Sequence, residues 1–155
     1  MTQDRVITKI NPALAYQKPL DDYIHYLEKM TVRSVRLIEK LVVPWVHYTD
    51  PLHDVRGVED VIRIYQARLN EVQGPKYRIK DHAWGQDGQT VYLRWTFTGK
   101  KGERDVVING VAEVLFTNEG QIMSHKDFVD TAYHPPQPLS LWGRLKKRYS
   151  SKAGA

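Results

Sequence analysis

The stretch His125-Lys126-Asp127-Phe128-Val129 reads as a strand, so His125, Asp127 and Val129 share one face, and Ser124, Lys126 and Phe128 take the other. An imidazole titrates near neutral pH and serves as acid or base, and a nearby carboxylate orients it. His125 with Asp127, or with the separate Asp50, would be a proton-transfer pair. Asp50 precedes Pro51, and Asp-Pro is a frequent turn start, so turn capping is the other reading of Asp50. Tyr26 falls on a helix stripe with Tyr23 and Met30.

Other chemistries find no residues. There is no cysteine, hence no thiol nucleophile, disulfide or zinc–thiolate site. His47, His53, His82 and His134 lack metal-ligand spacing, so no metal site is expected. No Gly-rich phosphate loop and no Gly-x-Ser-x-Gly elbow occurs, and no cofactor is expected.

The elements that must position these groups follow from periodicity. Residues 1–19, punctuated by Pro12 and Pro19, read as an irregular arm. Pro19-Leu20-Asp21-Asp22 looks like a helix start, with Tyr23, Tyr26, Leu27 and Met30 on its buried face. Thr31 can cap a second helix with Val35, Leu37, Ile38, Leu41 and Val42 inward, ended by Pro44. Val46 to Pro51 is a brief strand running into a turn. A third helix opens at Gly57-Val58, buries Val61, Ile62, Tyr65 and Leu69, and stops at Gly74-Pro75.

From Tyr77 the period changes from 3.6 to 2. Tyr77–Trp84, Val91–Thr98, Asp105–Thr117 and Gln121–Val129 are strands, separated by turns at Gln86–Gln89, Gly99–Glu103 and Asn118–Gly120. Helices followed by a meander define an α+β class. The domain is expected over residues 20–134, followed by a Pro-rich linker and tail over 135–155.

Charge sharpens the division. Of 23 basic residues, five (Arg144, Lys146, Lys147, Arg148, Lys152) follow Thr131 with no acid among them, leaving 18 against 18 acids elsewhere. A neutral body disfavours nucleic acid as a partner. The tail, with Leu141, Trp142, Leu145 and Tyr149 on one helical face, would dock on its own domain or a second copy, or meet an anionic membrane surface. The polar start lacks a signal-peptide core, and no apolar run reaches the roughly 18 residues of a membrane span, so a cytoplasmic location is expected.

Two segments carry a resemblance. One is His47-Tyr48-Thr49-Asp50-Pro51 followed by Gly57-Val58-Glu59-Asp60-Val61-Ile62-Arg63-Ile64-Tyr65. The other is Phe116-Thr117-Asn118-Glu119-Gly120-Gln121-Ile122, running to His125-Lys126-Asp127-Phe128-Val129-Asp130. Over residues 20–130 their order resembles the nuclear transport factor 2-like superfamily, in its branch of SnoaL-like polyketide cyclases and ketosteroid isomerases. The resemblance implies a cystatin-like curved antiparallel sheet forming a cone-shaped pocket, closed by the N-terminal helices. It implies a small hydrophobic ligand, lined by Tyr48, Trp95, Ala112, Val114, Phe116 and Val129, and a homodimer through the outer sheet face, with Tyr92, Arg94, Thr96 and Glu113. It casts Asp50 as the base and Tyr26, 24 residues earlier, as the oxyanion donor, with His125 and Asp127 facing the cavity. The family's third group, a protonated Asp four residues before the Phe of the closing turn, falls on Ala112, which cannot donate a hydrogen bond. Two functions follow: an isomerase or cyclase moving a proton next to a carbonyl, or a non-catalytic adaptor or lipophilic-ligand carrier.

Overall fold

The computed structural model describes residues 12–130. The basic tail, its linker, His134 and the first eleven residues lie outside them. Helix α1 (Pro12–Lys29) is followed by a 3₁₀ turn (Val35–Lys40), β1 (Val42–Asp50), β2 (His53–Arg56), α2 (Val58–Glu71), β3 (Gln73–Trp84), β4 (Thr90–Lys101), β5 (Arg104–Phe116) and β6 (Ile122–Val129). The six strands form one curved sheet in the order β2-β1-β6-β5-β4-β3. Register shifts interrupt β1, β3 and the end of β5, and such bulges bend and twist strands.

The α+β class stands, with four differences. First, the sheet is mixed: β1 runs parallel to β6, while the other neighbours are antiparallel. That pairing sets Tyr48 directly beside His125. Second, the helix expected from Pro19 begins at Pro12, so residues 12–19 are not an irregular arm. Tyr16, Leu20, Tyr23 and Leu27 form one buried stripe through Pro19. Tyr16 stacks on Phe116 at 5.6 Å, a tertiary contact that outweighs the hydrogen bond Pro19 cannot make. Third, the second helix is only a six-residue 3₁₀ turn, with Leu37 half exposed. The β-branched pair Val42-Val43 belongs to β1, and Pro44 sits in that strand where its pairing with β6 is interrupted, a place that tolerates a missing N–H. Fourth, Gly74-Pro75 lies within β3 rather than ending α2, which stops at Glu71 before an extended Val72.

The stripe of α2 is the expected one, Val61, Ile62, Tyr65 and Leu69. Strands β4 and β5 alternate strictly, with Val91, Leu93, Trp95 and Phe97 inward across from Ile108, Ala112, Val114 and Phe116. No helix of the described residues is long and apolar enough to cross a membrane.

Candidate active site

The interior is closed by its own side chains. Between α1, α2 and the sheet the described residues leave a cavity of about 10 Å³, lined by Leu27, Tyr65, Tyr77, Trp95, His125 and Asp127 together with Ile79. This cavity is far smaller than the open cone that the resemblance implies. The filling is largely aromatic: Tyr23, Tyr48, Tyr65, Trp95 and Phe97 are all buried.

Threaded through this apolar mass is a continuous row of polar groups. Strand alternation turns His125 and Asp127 inward, as the sequence indicates, and both are buried. His125 Nε2 lies 3.0 Å from Asp127 Oδ1, and His125 Nδ1 lies 2.7 Å from the Tyr23 hydroxyl. Burial pushes the Tyr23 phenol well above its ordinary pKa, so it keeps its proton. An ionised Asp127 only accepts, so Nε2 carries a hydrogen and donates to it. Tyr65 of α2 packs edge-on against Tyr48 at 5.5 Å and lines the same cavity.

Tyr48 joins the halves. Its hydroxyl lies 2.9 Å from Asp127 Oδ2 and 3.1 Å from Asp50 Oδ2, while its ring stacks on His125 at 5.5 Å. One hydroxyl proton serves one strong acceptor at a time, and the shorter contact is to Asp127. Arg68, from the last turn of α2, supplies what is lacking. Its Nη2 donates to Tyr48 Oη at 2.9 Å and Asp50 Oδ2 at 3.1 Å, and its Nη1 donates to Tyr77 Oη. Burial alone would lower the Arg68 pKa. Tyr48, Tyr77, Asp127 and Asp50 reverse this and hold the guanidinium charged. At Asp127 burial likewise opposes ionisation, but His125, Arg68 and Tyr48 outweigh it and keep the carboxyl below its ordinary value.

The candidate residues thus divide. His125, Asp127, Tyr48 and Asp50 come together, and Trp95 borders the cavity. Ala112 and Val114 pair in register with Asp127 and His125 across β5 and β6. Val129 pairs with Gly110 and is half-buried. Phe116 sits at the other end of the core with Tyr16 and Trp84. Tyr26 is not brought to the row: its hydroxyl donates to the Val35 carbonyl at 2.8 Å. The residue of α1 that reaches His125 is Tyr23, one turn earlier. Asp50 is fully engaged. Its Oδ1 accepts the backbone N–H groups of Leu52 and His53, both at 2.8 Å, and the His53 ring, Tyr48 and Arg68 are its further partners. This is the turn-capping role joined to a buried ion pair, and Asp50 is not among the residues lining the cavity.

Two features escape a sequence reading. Arg68 lies three residues after Tyr65 on the buried stripe of α2, and a cation on an apolar face is the available signal. Trp95 has a buried Nε1–H with no hydrogen-bond partner among the described residues. Its indole lies close against Gly110, where an added Cβ would sit 2.5 Å from Cζ2. Buried polar groups normally find partners, so this donor beside the cavity stands out. Among the described residues no group of three or more His, Cys, Asp or Glu is placed to hold a metal ion.

Helices packed on a curved mixed sheet, with a polar row in the concave side, define a nuclear transport factor 2-like domain of cystatin-like fold. A family model described as a SnoaL-like domain matches residues 23–125, and the chain belongs to that family. Among solved structures, a steroid delta-isomerase from Pseudomonas aeruginosa is similar at 20% identity, with 91% of this chain and 96% of that one covered and a TM-score of 0.60. A putative SnoaL-like polyketide cyclase from Jannaschia sp. CCS1 is similar at 11% identity, covering 85% and 94%, with a TM-score of 0.65. The epoxide hydrolase/cyclase-like enzyme SalBIII, with a role in pyran ring formation in salinomycin, is similar at 16% identity, covering 76% and 92%, with a TM-score of 0.63. A comparison with curated proteins gave no match.

Proposed function

We propose that this domain binds a small, mainly apolar compound bearing an oxygen, such as a ketone, and moves a proton beside that oxygen without a cofactor. One observation carries the reading. Side chains from α1, β1, α2 and β6 converge on His125 and Asp127 at a small cavity also lined by Trp95, whose buried Nε1–H has no partner among the described residues. Buried ionic groups add little to stability compared with apolar packing, so such a row at a cavity points to chemistry. Asp127 is the proton acceptor. Each of its oxygens takes one of the short hydrogen bonds, from His125 and Tyr48, which leaves acceptor capacity. His125 and Tyr48 hold the carboxylate in place, Arg68 keeps it ionised, and Trp95 is the donor for the ligand oxygen. Asp50 acts here as the partner that positions Arg68.

The present cavity has about the volume of one water. A ketone enters when Tyr77, Ile79 or Leu27, the residues between α1 and the edge strand β3, swing aside. The small volume, with both His125 nitrogens engaged by Tyr23 and Asp127, favours the second reading, a non-catalytic carrier or adaptor. The two separate in heavy water. With a panel of cyclic ketones, the catalytic reading expects α-hydrogen exchange, seen by proton NMR, to be lost in Asp127→Asn and Trp95→Phe. Ketones that bind but do not exchange establish the carrier.

We also propose that two copies pair through the outer sheet face, where Tyr92, Val111 and Phe128 stand exposed on adjacent strands. A sedimentation mass of one chain, unchanged by Phe128→Glu, excludes it.

A further inference from the structure

Outside the polar row, the strongest unassigned feature is a groove of about 450 Å³ along the free edge of the sheet. Lys76, Arg78 and Lys80 alternate along β3, and Lys29 reaches in from the last turn of α1. Thr98 and Thr96 stand in register beside Lys76 and Arg78 and add hydroxyl donors. None of these four cations makes an ion pair among the described residues. One carboxylate shares the groove, Glu28, and one of its oxygens is taken by the Ile79 N–H at 2.9 Å. Lysines on an edge strand also discourage strand-to-strand association. That role calls for neither a cation from α1 nor a hollow with threonines in it.

Tyr77 lines both this groove and the inner cavity. It is therefore the partition between a basic exterior and the His125–Asp127 pair, with its hydroxyl bonded to Arg68 behind it. We infer that the ligand of this domain is an amphiphile: an oxyanion head, carboxylate or phosphate, seated on Lys29, Lys76, Arg78 and Lys80, and an apolar body passing Tyr77 into the interior. The inference rests on the binding reading above and adds the charge of the ligand. Neutral ketones then satisfy the inner half only and bind weakly.

The test uses three matched probes on the full chain: naphthalene-1-acetate, its neutral amide naphthalene-1-acetamide, and 1-naphthyl phosphate. Affinity is read by calorimetry and location by ¹H–¹⁵N spectra. An anionic probe should bind about tenfold tighter than the amide at low salt, since several exposed charge contacts each contribute a fraction of a kcal/mol. It should shift the Thr96 and Thr98 amides and the Trp95 indole N–H together. The triple variant Lys76→Gln, Arg78→Gln, Lys80→Gln should reduce its affinity to that of the amide and leave the amide unchanged. The stronger of the two anionic arms identifies the head. Equal binding of acid and amide overturns the groove while the inner site survives. Shifts at Thr96 and Thr98 without Trp95 overturn the single amphiphilic ligand and the inner site with it. No binding by any probe overturns both.

Discussion

The core has two ends built from the same strands and governed by different physics. At one, Tyr16 of α1, Phe116 and Trp84 pack together with ring centroids 5.6–6.2 Å apart. At the other, the same β5 and β6 present Ala112 and Val114 against Asp127 and His125, and the neighbours are Tyr48, Asp50 and Arg68. The dry end stabilises by excluding water, whatever the pH. The polar end holds charges that must be satisfied by one another, so its stability depends on protonation, and every member is needed. The proposed binding and chemistry lie at the second end, where donors and acceptors border a cavity.

Truncation at the dry end should have the largest effect. Phe116→Ala removes a fully buried ring and should cost about 3–5 kcal/mol in urea unfolding. Its loss should be the same at pH 4 and pH 7. If Phe116→Ala also abolished the acid sensitivity of the fold, the two ends would be one cooperative site and the contrast would break.

Asp127→Asn should cost less, about 1.5–3 kcal/mol at neutral pH, by removing a charged acceptor of two hydrogen bonds. It also sharpens the contrast. The folded Asp127 carboxyl titrates below its ordinary value of 3.8, so the unfolded chain takes up this proton first as pH falls. Its contribution is fully present above about pH 4 and fades as pH drops through the folded value. The variant should therefore show a shallower decline of stability between pH 4 and pH 2 in denaturant midpoints. An unchanged slope would mean that Asp127 is not ionised in the fold.

Tyr26→Phe should have the smallest effect, about 1 kcal/mol, because it leaves the Val35 carbonyl without its donor but does not touch the row. α-Hydrogen exchange should be unchanged. A loss of exchange comparable to that of Asp127→Asn would return Tyr26 to the site and displace Tyr23.

Much of this was legible in the residues. The change of period at Tyr77 gave the meander, and alternation in β6 placed His125 and Asp127 on one face. The α2 stripe was explicit. Proline misled three times, at Pro19, Pro44 and Pro75, since local geometry disfavours it in helices and strands while packing of Tyr16 and interrupted registers in β1 and β3 made room for it. At Asp50 both readings were open, and the capping one describes its hydrogen bonds.

What the sequence determined by itself was therefore periodic or chemical: which segments alternate, which faces are apolar, and which side chains are able to carry a proton. Tertiary structure alone decided which of them meet. The parallel register of β1 on β6 put Tyr48 against His125, the helical phase of α1 chose Tyr23 over Tyr26, and the packing of α2 delivered Arg68 to Asp50. Those meetings are contacts between residues tens of positions apart, fixed by the sum of many packing energies, and no local pattern encodes such a sum. The same sum left a cavity of about 10 Å³ beside His125 and Asp127.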